Sequence, residues 1–257
     1  MAVGSYQDVT SHLQHSSKLN VTRATQRVFG MYVLVMIALF AILAIPMHDL
    51  AEVDHETIFN SVIGLMIFCS IQIGMILHLK KPLKWFGFHI GLPKKHLFEA
   101  LGATAGFCGF ITVLKYALIK TVPVLHSLPL FEFGRLTDQG VHHFSPVVML
   151  YAMIYIMFCP LQAFLINGAF QGAVLHLFKG RFVKELSIVG ATLLFAMIHL
   201  SIDMTYALAM LVPGLFWAIM YMRQKSLLGV SVSHMIIGLW ALYALGFEHM
   251  FKLLGTH

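Results

Sequence analysis

Long apolar runs separated by short polar segments dominate the chain. The apolar runs cover approximately residues 28–47, 58–79, 97–119, 146–178, 186–201, 204–222 and 227–246. Most of them approach the roughly 20 residues that a helix needs to cross a bilayer. The fifth run is short, and the fourth either extends past the bilayer or breaks at Pro160, which removes a helical hydrogen bond. The pattern predicts an all-α bundle of about seven transmembrane helices.

The polar N-terminal segment is predicted to be a tail rather than a cleaved signal. Residues 1–27 are polar and carry Lys18, Arg23 and Arg27 immediately before the first apolar run. That run is about 20 residues long and no small-residue cleavage site follows it, so we expect a retained first helix. The predicted organisation is therefore a tail over residues 1–27 and a single transmembrane domain over residues 28–257.

The composition agrees with a membrane protein. Of the 257 residues, 59% are hydrophobic and 11% are charged, whereas soluble domains have about 25% charged residues. No water-soluble domain of useful size fits between the spans. The three cysteines, Cys69, Cys108 and Cys159, all lie in apolar runs, which favours buried thiols over a disulfide framework.

The charges indicate an orientation. The formal net charge is +6, but Lys and Arg concentrate in alternate connections, as in a membrane protein, rather than on a nucleic-acid-binding face. The basic segments are the tail and the connections after spans two, four and six. The basic residues of these connections are Lys80, Lys81, Lys84, Lys94, Lys95, Lys179, Arg181, Lys184, Arg223 and Lys225. The pattern predicts a cytoplasmic N-terminus and an outside C-terminus. Compact loops favour a location in a bacterial inner membrane. The lipid bilayer is one predicted partner, and nucleic acid is not expected to be a partner.

The longest connection on the predicted outer side covers residues 120–145. It contains Phe131, Phe133 and Phe144 and the pair His142-His143. An interfacial segment on the bilayer is the favoured interpretation. A lid or a partner-binding segment is the alternative, because loops of this length are often functional.

Polar residues inside three spans predict a shared pocket. Asn167 and Gln171 are spaced i,i+4 on span four, so they share a helical face, and Phe195 and His199 share a face on span five. His234 lies on span seven. Polar side chains are costly in hydrocarbon, so residues of this kind on several spans favour a polar site between helices.

The two histidines admit several interpretations. A single membrane histidine is often a hydrogen-bonded contact between helices. A metal site needs three or four ligands, and no Asp, Glu or Cys accompanies His199 and His234, so neither a metal nor another cofactor is predicted. A haem or pigment held by one of the fifteen histidines remains an alternative. The span boundaries place His199 and His234 about 10 Å apart in depth.

The stretch from Pro160 to Ala241 resembles the CPBP intramembrane protease family, also called Abi, which includes the type II CAAX prenyl proteases. The family pattern is Glu-Glu-x-x-Phe-Arg-Gly, then Phe-x-x-x-His, then His-x-x-x-Asn. The second motif is present as Phe195-Ala-Met-Ile-His199, the third keeps His234, and residues 211–229 resemble the intervening segment. The segment 85–92 is similar to the one that precedes the family motifs. The resemblance implies a family-like core over residues 146–246.

The chain departs from the family at most of the polar positions. Aligned on Gly168, the two glutamates are replaced by Gln162 and Ala163, the arginine by Asn167 and the last asparagine by Gly238. In the family, the glutamate is held to activate the attacking water, and histidine and asparagine support the water or the oxyanion. Loss of a general base lowers the reaction rate by a factor of about 10²–10⁴. Loss of a hydrogen-bond donor to the oxyanion lowers it by a factor of about 10²–10³.

These substitutions lead to three functional hypotheses. The first is a pseudoprotease that acts as a binding, scaffold or accessory subunit of a membrane protein complex, with other integral membrane proteins or a membrane peptide as partners. Small residues at Gly102, Ala103, Gly106 and Gly109 would allow close helix packing within the bundle or with such a partner. The second is an active intramembrane peptidase that uses His199 and His234 in an atypical site. The third is a haem- or pigment-holding membrane subunit.

Overall fold

A computed structural model describes residues 23–35, 55–88, 94–133, 146–200 and 204–255, and all regular structure in these ranges is helical. The α-helices are α1 (23–35), α2 (His55–Leu79), α3 (Lys94–Thr121), α4 (Pro146–Ala163), α5 (Gly172–Leu177), α6 (Val183–Met197), α7 (Met204–Ala209), α8 (Leu211–Gln224), α9 (Leu227–Leu239) and α10 (Phe247–Gly255). Short 3₁₀ turns cover Leu83–Phe86 and Pro123–Leu125, and π-helical segments cover Phe164–Gln171 and Trp240–Ala244. The predicted all-α class is confirmed.

Four helical segments of the described chain are long and apolar enough to cross a membrane. They are Lys94–Thr121, Met149–Leu177, Met204–Gln224 and Leu227–Ala244, and a shorter apolar helix covers Met66–Leu79. The protein is an integral membrane protein. The count of seven spans stays a prediction, because the first predicted span lies mostly outside the described residues and α6 is only 15 residues long.

Helix α9 is the centre of the bundle. It packs against α3, α4 and α8, and α8 in turn packs against α6. The face of α9 that is buried includes small residues, among them Gly229, Ser231 and Gly238, which let the neighbouring helices approach closely. Of the polar residues singled out in the sequence, His234 lies on α9 itself, and Asn167 and Gln171 lie on the π-helical segment, which also contacts α9.

The fourth span continues as a helix past Pro160 rather than breaking there. Pro160 lies inside α4, and the helix then widens into the π-helical segment Phe164–Gln171 before α5 begins. Seven of the eight π-helical residues are buried. π-helical turns are rare in proteins as a whole, but those that occur are frequently found at functional sites. This segment therefore marks the surroundings of Asn167 and Gln171 as a candidate site.

The basic connections gather at one end of the bundle. Gln26 Nε2 donates to the carbonyl at the end of α5 at 2.7 Å, which brings the start of α1 to the α5–α6 connection. The Leu227 amide, after α8, donates to Gly87 O at 3.1 Å. Arg223 pairs with Glu99 at 2.5 Å. The arrangement agrees with the alternation of charge, and the side of the membrane that this end faces remains a prediction.

The 3₁₀ turn Leu83–Phe86 is packed directly onto the π-helical segment. A Cβ atom built on Gly172 would lie 2.5 Å from Trp85 O and 2.8 Å from the Tyr221 hydroxyl, and one on Gly168 would lie 2.7 Å from Phe86 O. Backbone therefore touches backbone at both glycines. This contact fixes the family-like segment 85–88 on the core.

We expect Gly172→Ala to destabilise the protein by about 1–3 kcal/mol, the usual cost of overpacking a core. The added methyl group meets a backbone oxygen, which cannot rotate away. Thermal unfolding in detergent would measure the loss. Gly74→Ala on α2 is the matched control, because a Cβ there meets nothing within 4 Å; equal losses for the two variants would contradict the packing argument.

At the opposite end of the bundle, Lys115 on α3 is fully buried. Its Nζ donates to Pro129 O at 2.8 Å and to Leu245 O, and it forms an ion pair with Glu132 at 3.4 Å. The Glu132 amide donates to Ala244 O at 2.9 Å. The described first half of the 120–145 connection is therefore held against the bundle by a buried ion pair that the sequence pattern did not predict.

The aromatic residues of this connection have different surroundings. Phe131 and Phe133 are exposed and stack with ring centroids 5.6 Å apart. Phe144 and the His142-His143 pair lie outside the described residues. The exposed stack is compatible with the predicted interfacial segment, which remains a prediction.

Candidate functional site

The two family-type histidines lie around one aromatic ring. His199 follows α6 in a turn and His234 lies on α9, and both are buried. The Phe195 ring centroid lies 4.7 Å from that of His199 and 5.5 Å from that of His234. Trp217 lies 4.0 Å from His234. The separation in depth inferred from the span boundaries therefore does not keep the two imidazoles from sharing one site.

The hydrogen bond of His199 indicates its tautomer. Nδ1 lies 2.7 Å from the carbonyl oxygen of Phe195, one helical turn earlier. A carbonyl only accepts, so the neutral ring carries its proton on Nδ1 and keeps a lone pair on Nε2. An imidazole in this form can act as a base or as a metal ligand.

The two amides of the π-helical segment bond to each other. Asn167 Nδ2 donates to Gln171 Oε1 at 3.0 Å, and Gln171 Nε2 donates to Ala218 O on α8 at 2.9 Å. Both side chains are buried. Among the described contacts, no hydrogen bond joins this pair to either imidazole, so the amides link α8 to the π-helical segment instead.

The positions of the family glutamates lie at the end of α4. Gln162 is half-buried and Ala163 is buried. Neither side chain can remove a proton from water, because an amide is not a base at ordinary pH and alanine has no functional group. The two positions are present in the fold, and neither carries a carboxylate.

The fourth substituted position, Gly238, is filled by a residue from another helix. A Cβ built on Gly238 would overlap the hydroxyl and the ring of Tyr155 on α4. The Tyr155 ring also meets His234 edge-on, with centroids 6.1 Å apart. The phenol therefore occupies the space next to α9 where the family motif has an asparagine side chain.

A hydroxyl network beside His234 was not foreseen. The Thr104 hydroxyl on α3 donates to Ala100 O at 2.7 Å and accepts from Ser233 Oγ at 2.8 Å, and Trp217 Nε1 donates to Ser233 Oγ at 3.2 Å. All three side chains are buried. In the sequence, Ser233 directly precedes the motif histidine. Its hydrogen-bond partners lie on α3 and α8, however, and no local sequence pattern indicates those contacts.

The described residues contain no group of three or more His, Cys, Asp or Glu side chains that could hold a metal ion. The site itself offers two imidazoles, His199 and His234. A metal ion would need further donors from water, a substrate or the residues outside the described ranges.

Comparison with known proteins gives a match over the segment that carries the site. Residues 146–240, less than half of the chain, match the family model described as "Type II CAAX prenyl endopeptidase Rce1-like". The match includes α4, the π-helical segment and both histidines. No curated protein and no solved structure matches the chain. The match to the family model confirms the resemblance drawn from the motifs: residues 146–240 are similar to the Rce1-like members of the CPBP family.

Proposed function

We propose that the protein is a catalytically degenerate member of this family that serves as a binding, scaffold or accessory subunit of a membrane protein complex. The observation that carries the proposal is the Tyr155 phenol packed against Gly238. The family asparagine is absent and its space is filled. Together with Gln162 and Ala163 in place of the glutamates, this pocket lacks both a carboxylate base and the motif's amide donor.

The remaining polar groups support the proposal because they stabilise the bundle. Asn167 and Gln171 bond to each other and to α8, and Ser233 joins α3, α8 and α9. Hydrogen bonds of this kind hold membrane helices together. A pocket organised in this way is suited to a rigid scaffold, in which the inherited site has become structural.

The small residues on the outer face of α3 also favour contact with a partner helix. A Cβ atom built on Gly102, Gly106 or Gly109 would meet nothing within 4 Å, and Ala103 and Ala105 are exposed. The small residues therefore do not serve packing within the described part of the bundle. Exposed small residues at i,i+4 spacing are typical of close contacts between membrane helices.

The test combines an activity assay with isolation of the complex. The tagged full-length protein, extracted from its native membrane in mild detergent, is expected to carry a stoichiometric membrane protein identified by mass spectrometry. A fluorogenic farnesylated CAAX peptide should remain uncleaved by the same sample, while a family member with both glutamates serves as the positive control. The double variant His199→Ala/His234→Ala should retain the partner at the same ratio.

An active peptidase is the second candidate, because the His199 tautomer leaves a lone pair on Nε2. It predicts that the wild-type protein cleaves the peptide and that His199→Ala abolishes cleavage. His176→Ala is the matched control, since that histidine is exposed and stacks on Trp85 at 4.7 Å. Cleavage that depends on His199 but not on His176 would replace the scaffold proposal.

A further inference from the structure

A groove of about 260 Å³ lies between α3 and α8, at the end of the bundle that carries the basic connections. Ala103, Phe216 and Ile219 form its apolar walls, and Glu99, Arg223 and Gln224 lie at its polar end. We call it the α3–α8 groove. It has no part in the histidine site.

The position of the groove matches a membrane interface. Its walls belong to two helices that are long and apolar enough to span a bilayer. Arg223 lies seven residues after Phe216 on α8, which corresponds to about 10 Å along the helix axis. The apolar part of the groove is thus at hydrocarbon depth when Arg223 is at the level of the headgroups.

The charges at the polar end fit one phosphate group. Arg223, whose side chain is 67% exposed, pairs with Glu99 at 2.5 Å. Lys95 is exposed and precedes Glu99 by four residues, so it lies on the same face of α3. Two cations around one carboxylate leave a net charge of +1, which a single phosphodiester neutralises.

Gln224 closes the inner side of the polar end. The residue is 7% exposed, and its Nε2 donates to His96 O at 3.0 Å. A Cβ atom built on Gly229 would overlap its Oε1, so this oxygen faces α9 and is out of reach of a ligand in the groove. Gln224 therefore holds α8 against α3 and α9 beside the groove, and the charge of Arg223 and Lys95 is what a ligand meets.

We infer that the α3–α8 groove binds one anionic phospholipid. The phosphate contacts Arg223 and Lys95, and an acyl chain lies along Phe216 and Ile219. The inference does not rest on the proposed function, because none of these residues belongs to the histidine site; Ala103 alone is shared with the α3 face proposed for a partner helix.

Native mass spectrometry of the full-length protein tests the inference. The probes are dioleoyl phosphatidylglycerol and dioleoyl phosphatidylcholine, which differ only in the headgroup. Wild-type protein should bind one phosphatidylglycerol molecule more tightly than phosphatidylcholine. Each basic residue near a membrane surface changes the affinity for anionic lipid about fivefold. Lys95→Gln and Arg223→Gln should each weaken phosphatidylglycerol binding by about that factor, and the double variant should abolish the preference.

Two further variants separate the groove from general surface charge. Ala103→Phe fills the apolar part and should weaken binding of both lipids. Arg181→Gln removes an exposed cation from the α5–α6 connection and should leave both affinities unchanged. Equal affinity of the wild type for the two lipids, or an equal effect of Arg181→Gln and Arg223→Gln, would overturn the inference. A protein segment, rather than lipid, photo-cross-linked to Ile219 in native membranes would also overturn it.

Discussion

Replacing Gly238 by asparagine, the residue of the family motif, should destabilise the protein rather than restore a site. The first side-chain carbon already overlaps the Tyr155 phenol, so either α4 or α9 must move. Overpacking of this kind costs about 1–3 kcal/mol. Thermal unfolding in detergent, followed by tryptophan fluorescence, measures the change.

A double-mutant cycle identifies Tyr155 as the cause. Tyr155→Ala alone should be destabilising because it leaves a cavity, but Gly238→Asn should cost much less in that background than in the wild type. The coupling free energy should lie within about 0.5–3 kcal/mol. Gly106→Asn is the matched control, since a Cβ on Gly106 meets nothing within 4 Å. A Gly238→Asn penalty that is unchanged without Tyr155 would disprove the space-filling interpretation.

Replacing Lys115 by methionine should have an even larger effect. Methionine preserves much of the length of the side chain but removes the ion pair with Glu132 and the donors to Pro129 O and Leu245 O. Breaking a buried ion pair on one side costs about 3–5 kcal/mol. The free energy of unfolding, from titration with sodium dodecyl sulfate, should fall by about this amount.

The ion pair can be separated from simple packing by a second substitution. Glu132→Gln removes the negative charge, and the double variant Lys115→Met/Glu132→Gln should be more stable than Lys115→Met alone, because the carboxylate no longer stays buried without the lysine. Lys120→Met is the control, since Lys120 is exposed near the end of the same helix. A similar loss for Lys120→Met and Lys115→Met would show that burial of the charge is unimportant.

Features that depend on local periodicity were predictable from the sequence. Apolar runs indicated a membrane helix bundle, and the i,i+4 spacing of Asn167 and Gln171 indicated the contact that their amides make. The motif Phe195-Ala-Met-Ile-His199 together with His234 indicated both the family and a shared site. In each case the signal lies within one helix or in a motif of known arrangement.

Features that depend on contacts between distant helices were not predictable in this way. Tyr155 fills the space beside Gly238 because α4 packs against α9, and nothing near Tyr155 in the sequence indicates it. Lys115 has its acceptors in a connection and beyond α9. The π-helical segment was not predicted either, and Pro160 drew attention to a break that does not occur.

The buried position of Lys115 has a consequence for biogenesis. Glu132 is synthesised 17 residues after Lys115, whereas Leu245 follows by 130 residues. At about 5–20 residues per second, roughly 6–26 seconds separate the emergence of the lysine from that of its last acceptor. Helix α3 must therefore be inserted with Lys115 held by Glu132, by lipid headgroups or by the insertion machinery, until the C-terminal segment arrives and completes the bundle.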